Sequence, residues 1–223
     1  AKEAGVHIVT GDTKVVNRGH GDGVFINTSG VGFIPAGVAL SGAFCKPGDK
    51  ILVSGTLGDH GITVMACREE LSFNADIQSD AAPLNHLIAE VLAAAPETRC
   101  FRDPTRGGLA STLNELAAQS GVDFVIEEDT VPVKDAVRGA CEMLGYDVYQ
   151  VANEGKMVCV VSAEQAEAAL AAMRSNKYGV DAAIIGEVVE KPEDRSSRVS
   201  IRTGFGALRI MDMLVGEQLP RIC

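Results

Sequence analysis

The sequence predicts an α+β fold, a mixed sheet covered by helices, on three observations. Short apolar runs such as "KILVSG" and "KMVCVVS" suit buried strands. Two helical stretches follow one another near 62–95, which breaks a simple βαβ alternation. The stretch "AEQAEAALAAMRSN" is strongly amphipathic at helical spacing.

In chain order, 1–4 reads as the last turn of a helix, Gly5 as its C-cap and 6–9 as a strand. The chain therefore reads as beginning inside a longer protein. A second extended stretch runs over 24–34, and the Gly/Ala/Pro-containing connection 35–48 marks a domain boundary. After the strand 50–55 comes the glycine-spaced turn "GTLGDHG" and a helix over 62–71. Apolar residues at three and four spacing predict a second helix over 80–95, stopped by Pro96. "RDPTRGG" is a loop opening a helix over 108–119, which Gly121 ends. Strands are expected at 122–129, 156–162, 181–190 and 198–203, and helices at 133–145 and 163–176. Residues 191–198 form a polar turn.

Composition narrows the partners. The 223 residues are 46% hydrophobic and 22% charged, with a formal net charge of -10. An acidic chain without a Lys/Arg block argues against nucleic acid and against an anionic membrane. No apolar run approaches a membrane span and no signal segment opens the chain, so the expected location is cytoplasmic. Six cysteines lie far apart, without zinc-ligand spacing. Cys45, Cys67, Cys100, Cys141 and Cys159 read as small buried hydrophobes in a reducing compartment. Cys223 lies outside any apolar periodic segment, on the tail "PRIC".

Four stretches have residue types suited to chemistry, and each has a plainer reading. "VTGDTKVV" breaks a strand into Gly11, Asp12, Thr13 and Lys14, a carboxylate, hydroxyl and ammonium that suit Mg2+ and phosphate; a polar β-turn is the competing reading. In "SGTLGDHG" the glycines let backbone amides approach an anion at a helix start. The competing reading has Asp59 capping that helix and His60 as a hydrogen-bonded structural histidine. In "FRDPTRGGLAST", Asp103 and Arg106 can be oriented into a cleft; an N-cap and tight turn compete. In "VANEGKMV", Glu154 stands at the mouth of a buried strand, where it can serve as a base; a surface hairpin with an exposed Glu/Lys pair competes.

Together, "GDTKVV", "SGTLGDHG", "RDPTRGG", "ANEGK" and the terminal "PRIC" resemble, from end to end of the chain, the HypE family of hydrogenase maturation factors. That family belongs to the superfamily of aminoimidazole ribonucleotide synthetase and selenophosphate synthetase. The resemblance implies three parts: 1–45, a remnant of the N-terminal α/β domain for ATP binding and dimerisation; 46–212, the C-terminal α+β domain; and 213–223, a mobile tail. It implies that the C-terminal cysteine receives a carbamoyl group from a partner carbamoyltransferase. ATP then activates the carbamoyl oxygen, and loss of phosphate leaves a thiocyanate. The cyano group passes through a hydrogenase maturation scaffold complex to the iron of [NiFe] hydrogenase.

On this resemblance Cys223 is the covalent carrier, Asp12 binds Mg2+, Lys14 contacts phosphate or assists proton removal, and Glu154 is the candidate base. Gly11, Thr13, Asp59, His60, Asp103 and Arg106 are expected around the nucleotide or cleft, ATP and Mg2+ are the expected cofactors, and the full-length protein is expected to be a homodimer. Two rivals stand beside it. A superfamily enzyme acting on a free small substrate gives no reason for the terminal cysteine. A non-enzymatic adaptor presenting the tail gives no reason for "GDTK" and "ANEGK". Prenylation fails because Pro220 stands where its cysteine belongs.

Overall fold

The computed structural model describes residues 1–21, 23–68 and 77–213. Cys223 and the tail 214–223 lie outside the described residues. The chain divides into two compact units, Ala1–Val38 and Ala39–Cys223.

In the first unit the described residues form turns and extended chain without helix or strand. The strands expected over 6–9 and 24–34 are absent there. An isolated extended segment lacks the ladder partner and packed face that make a strand stable. Val9 is 89% and Phe33 100% exposed. The expected helix end is a single turn, in which Gly5 N–H donates to Lys2 O (3.3 Å) at a φ of 69°.

The second unit is built on a seven-stranded mixed sheet of order β2-β4-β1-β5-β3-β6-β7. Its strands are β1 (Lys50–Val53), β2 (Thr98–Arg102), β3 (Asp123–Glu127), β4 (Val158–Val161), β5 (Ala183–Val189), β6 (Val199–Arg202) and β7 (Leu208–Ile210). Only β3 and β6 run parallel; the other neighbours are antiparallel. The helices are α1 (Asp59–Arg68), α2 (Asn85–Ala94), α3 (Gly108–Ser120), α4 (Asp135–Leu144) and α5 (Ala166–Ser175).

The central strands are largely apolar because both of their faces are covered. Period-two alternation sends Ile51, Val53, Val158 and Val160 into a core shared with Leu109 and Leu113 of α3 and with Val137 and Ala140 of α4. The intervening Leu52, Cys159 and Val161 enter a second core with Leu87 and Val91 of α2 and with Ala169 and Met173 of α5. Each fully buried large aliphatic side chain here contributes on the order of 1.5–3 kcal/mol.

Three expectations from the sequence are corrected. The helix expected over 80–95 begins only at Asn85, because Pro83 disfavours helical backbone in the residue before it. Strands β2 and β7 were not expected: β2 is five residues long and carries two arginines, and β7 is three residues long and exposed along its length. Among the five internal cysteines, Cys67 is exposed. The buried face of α1 is formed by Asp59, Gly61, Ile62 and Met65, and Cys67 falls on the opposite side of that helix.

Candidate functional site

Strand register brings three of the motifs to one end of the sheet. Val53 closes β1 opposite Val158 at the start of β4, and Arg102 closes β2 opposite the same Val158. The segments leaving β1 ("GTLGDHG") and β2 ("RDPTRGG") therefore meet the segment entering β4 ("ANEGK"). Ser54 continues the ladder: its N–H donates to Met157 O (3.0 Å), and its hydroxyl accepts from Met157 N–H (3.0 Å).

Asn153, fully buried, fastens the three together. Its Oδ1 accepts the Gly58 N–H (2.8 Å). Its Nδ2 donates to Pro104 O (2.9 Å) and Val151 O (3.0 Å). Its own N–H reaches Pro104 O (3.1 Å), and Gly61 N–H donates to Ala152 O (3.1 Å). The amides of Gly58 and Gly61, expected to face an anion, are thus engaged inside the protein. Gly108, which opens α3, has a φ of +60°, and a Cβ there would lie 2.6 Å from both Tyr149 O and Val151 O. Only glycine lets the helix start approach the backbone that leads into Asn153.

The candidate side chains have different settings. Asp59, the first residue of α1, is buried, and its Oδ2 accepts the Thr56 hydroxyl (2.5 Å). Lys134 Nζ stands 3.1 Å from Asp59 Oδ1, without hydrogen-bond alignment. His60 Nδ1 meets Ser79 Oγ at 2.9 Å, while its buried Nε2 has no hydrogen-bond partner among the described residues. Glu154 likewise has a buried Oε1 without a partner. The Asp103 carboxylate is exposed and paired with Arg102, whose other nitrogen reaches Glu115 Oε2 at 3.1 Å. Arg106 is exposed.

Gly11, Asp12, Thr13 and Lys14 belong to the other compact unit and are exposed there. Asp12 Oδ1 accepts the Thr13 N–H at 2.8 Å. Among the described residues no group of three or more His, Cys, Asp or Glu is placed to hold a metal ion. One carboxylate beside a hydroxyl and an ammonium fits Mg2+ held chiefly by phosphate oxygens and water, and does not fit a cage of protein ligands.

Sequence reasoning singled out Glu154 and passed over Asn153, Asp80 and Lys156. The Asp80 side chain is almost fully buried. Its Oδ1 accepts the N–H groups of Glu154 (3.0 Å) and Gly155 (3.3 Å), and its Oδ2 lies 3.8 Å from Lys156 Nζ. The only signal for Asn153 and Lys156 was membership of "ANEGK". Asp80 had none, since it lies 74 residues from Glu154.

The model of the family described as AIR synthase related protein, C-terminal domain, matches residues 46–198. Carbamoyl dehydratase HypE of Azotobacter vinelandii is 57% identical over 223 residues, covering 100% of this chain and 64% of its own length. The chain thus spans less than two thirds of that relative. A solved structure of hydrogenase maturation protein HypE in complex with ATP superposes with a TM-score of 0.77 at 44% identity, covering 82% of this chain and 55% of that one. A HypE–HypF complex superposes with a TM-score of 0.76 at 47% identity, covering 80% and 57%.

Proposed function

Since the chain belongs to the AIR synthase related family, through that family's C-terminal domain, we propose that it serves in the ATP-dependent dehydration of a carboxamide carried on Cys223. The product is a thiocyanate on the same sulfur, which supplies the cyanide ligand in [NiFe] hydrogenase maturation. The similarity to a relative named carbamoyl dehydratase HypE, and to a hydrogenase maturation protein HypE solved in complex with ATP, supports this reading. Within the chain, the observation that carries it is Glu154: a buried carboxylate oxygen without a hydrogen-bond partner among the described residues, at the mouth of β4.

An S-carboxamide is a poor electrophile, and its oxygen leaves badly. ATP, with Mg2+ assigned to Asp12 and phosphate contact to Lys14, supplies a phosphoryl group that turns that oxygen into a good leaving group. The carbon–oxygen bond then breaks, phosphate departs, and both nitrogen-bound protons must be taken up for the C≡N bond to form. Glu154 is assigned to accept a proton from nitrogen, because its Oε1 has a vacant acceptor position in a place that excludes water. Lys14 is the next candidate. His60, Asp59, Asp103 and Arg106 are assigned to the surrounding cleft, with Gly11 and Thr13 beside the nucleotide.

The partner giving up the carbamoyl group is a carbamoyltransferase maturation protein, in line with the HypE–HypF complex. The acceptor of the cyano group is the maturation scaffold complex. The full-length protein is assigned as a homodimer working in the cytoplasm, where thiols stay reduced.

Intact mass tests the reading in the natural full-length protein incubated with ATP, carbamoyl phosphate and the transferase. Carbamoylation should add about 43 Da and dehydration should leave a net gain of about 25 Da, both on the C-terminal peptide, from the groups replacing the thiol hydrogen. Glu154→Gln should reach the first mass and approach the second about 10²-fold more slowly or worse. An adduct on another cysteine, or one surviving Cys223→Ala, ends the carrier reading.

A further inference from the structure

We propose that Asp80 is the positioning residue for Glu154, acting from a segment distant in sequence that straps the site loops together. The proposal rests on the reading of Glu154 as the base.

Asp80 does not act as a helix cap. Helix α2 starts five residues beyond it, and the residue capping that helix, Leu84, makes no side-chain cap. Asp80 instead reaches the "ANEGK" turn. One of its oxygens accepts two successive backbone N–H groups, those of Glu154 (3.0 Å) and Gly155 (3.3 Å). Fixing two consecutive amides fixes the peptide plane between them, and with it the direction in which the Glu154 side chain leaves the backbone. Because the acceptor is ionised, each such bond is roughly twice as strong as a neutral one.

The other oxygen has no hydrogen-bond partner among the described residues and lies 3.8 Å from Lys156 Nζ; both side chains are mostly buried. Lys156 thus balances a charge that would otherwise be isolated. The turn also presses onto the segment itself: a Cβ on Gly155 would stand 1.7 Å from Asp80 O and 2.7 Å from Ala82 N. Glycine there is required by that close approach.

The neighbouring residue does the same for the second loop. Ser79 Oγ meets His60 Nδ1 at 2.9 Å and accepts the Ala81 N–H at 3.3 Å. Residues 79 and 80 therefore hold His60 of "GDHG" and the turn of Glu154 at once. The partnerless buried atoms His60 Nε2 and Glu154 Oε1 belong to the two residues so held. Unsatisfied buried atoms cost free energy unless a ligand completes them, so the strap holds in place groups that a substrate would satisfy.

Two measurements on the natural full-length protein test this separately. In the first, amide hydrogen exchange at Glu154 and Gly155 should speed up about 10-fold or more in Asp80→Ala, from the loss of a charge-assisted acceptor. Asp80→Asn, which keeps an acceptor and should fold as the wild type does, should give a smaller rise at the same two amides. In the second, single-turnover dehydration of the carbamoylated protein should slow by about 10-fold in Asp80→Ala with KM for ATP unchanged, and Asp80→Asn should fall between. Added to Glu154→Gln, Asp80→Ala should cost less than about 2-fold, because a residue acting through Glu154 has nothing left to position. Unchanged exchange in both variants, or an equal cost in the wild-type and Glu154→Gln backgrounds, overturns the proposal. Wild-type dehydration by Glu154→Gln ends the base reading instead, while the exchange measurement still decides whether Asp80 holds the turn.

Discussion

Asn153 joins three chain segments through one buried amide, and its worth lies in what its removal would strand. Asn153→Ala leaves Gly58 N–H and the Val151 carbonyl without their side-chain partner in a buried interior, while the Pro104 carbonyl keeps the backbone N–H of residue 153. A cost of about 2–4 kcal/mol is expected, from two orphaned groups at roughly 1–2 kcal/mol each, read as a lower urea midpoint. Asn153→Asp should be no milder, because a carboxylate would face the carbonyl oxygens of Pro104 and Val151. A midpoint within error of wild type for both variants would show that the loops hold together without it. At the same scale, Cys67 is exposed while Cys45, Cys100, Cys141 and Cys159 are buried. Brief alkylation of the native protein, mapped by peptide mass, should modify Cys67 ahead of those four, and they should react only after denaturation. Modification of the four at the same rate would contradict the packing of both cores.

Among the elements, α3 shows how a helix start can serve a site. Its first residue, Gly108, has a positive φ and lies against the carbonyls of Tyr149 and Val151. Gly108→Ala combines a strained backbone with a clash against main chain. The expected loss is about 1–3 kcal/mol from the backbone strain alone, before the displaced loop is counted. Circular dichroism melts of the variant should show a clearly lower midpoint. Gly139, in the middle of α4 with open space around it, provides the contrast: Gly139→Ala should stabilise by about 0.4–1 kcal/mol. If the two substitutions have the same effect, close packing at Gly108 is not what selects glycine there.

For the whole molecule, the two cores contain ionisable groups that folding keeps neutral. Burial pushes the Cys141 thiol from its ordinary 9.0 up to about 11 and Tyr149 from 10.0 up to about 12, and it raises Cys159 as well. Below the unfolded value both states hold the proton, and the contribution of each group is fully present. Between the unfolded and folded values the unfolded chain has released protons that the folded chain retains, so stability falls as pH rises. The urea midpoint should therefore be lower at about pH 10.5 than at about pH 8, and Cys141→Ala should narrow the difference between the two. Equal midpoints at both values would mean that these groups ionise without opening the cores.

Much of this protein follows from local pattern alone. Short apolar runs marked β1, β3, β4, β5 and β6, and helical spacing marked α3, α4 and α5, because burial selects the side chains that each element presents to the core. The resemblance to the HypE family is supported along the whole chain by a relative named carbamoyl dehydratase HypE at 57% identity. Where partners are remote, the sequence was silent or misleading. The extended segments 6–9 and 24–34 have strand composition, yet a strand exists only where another lies beside it. Strand β2 was hidden by its arginines, one of which, Arg99, is tied to the buried Asp49. Gathering "GDHG", "RDPT" and "ANEGK" at one end of the sheet required the register of β1, β2 and β4. The roles of Asp80 and Asn153 required contacts spanning 74 and 95 residues. Hydrophobic periodicity records which face is buried but carries no information on which distant polar group a buried carboxylate or amide will meet, so only the tertiary structure could decide what Asp80 and Asn153 hold.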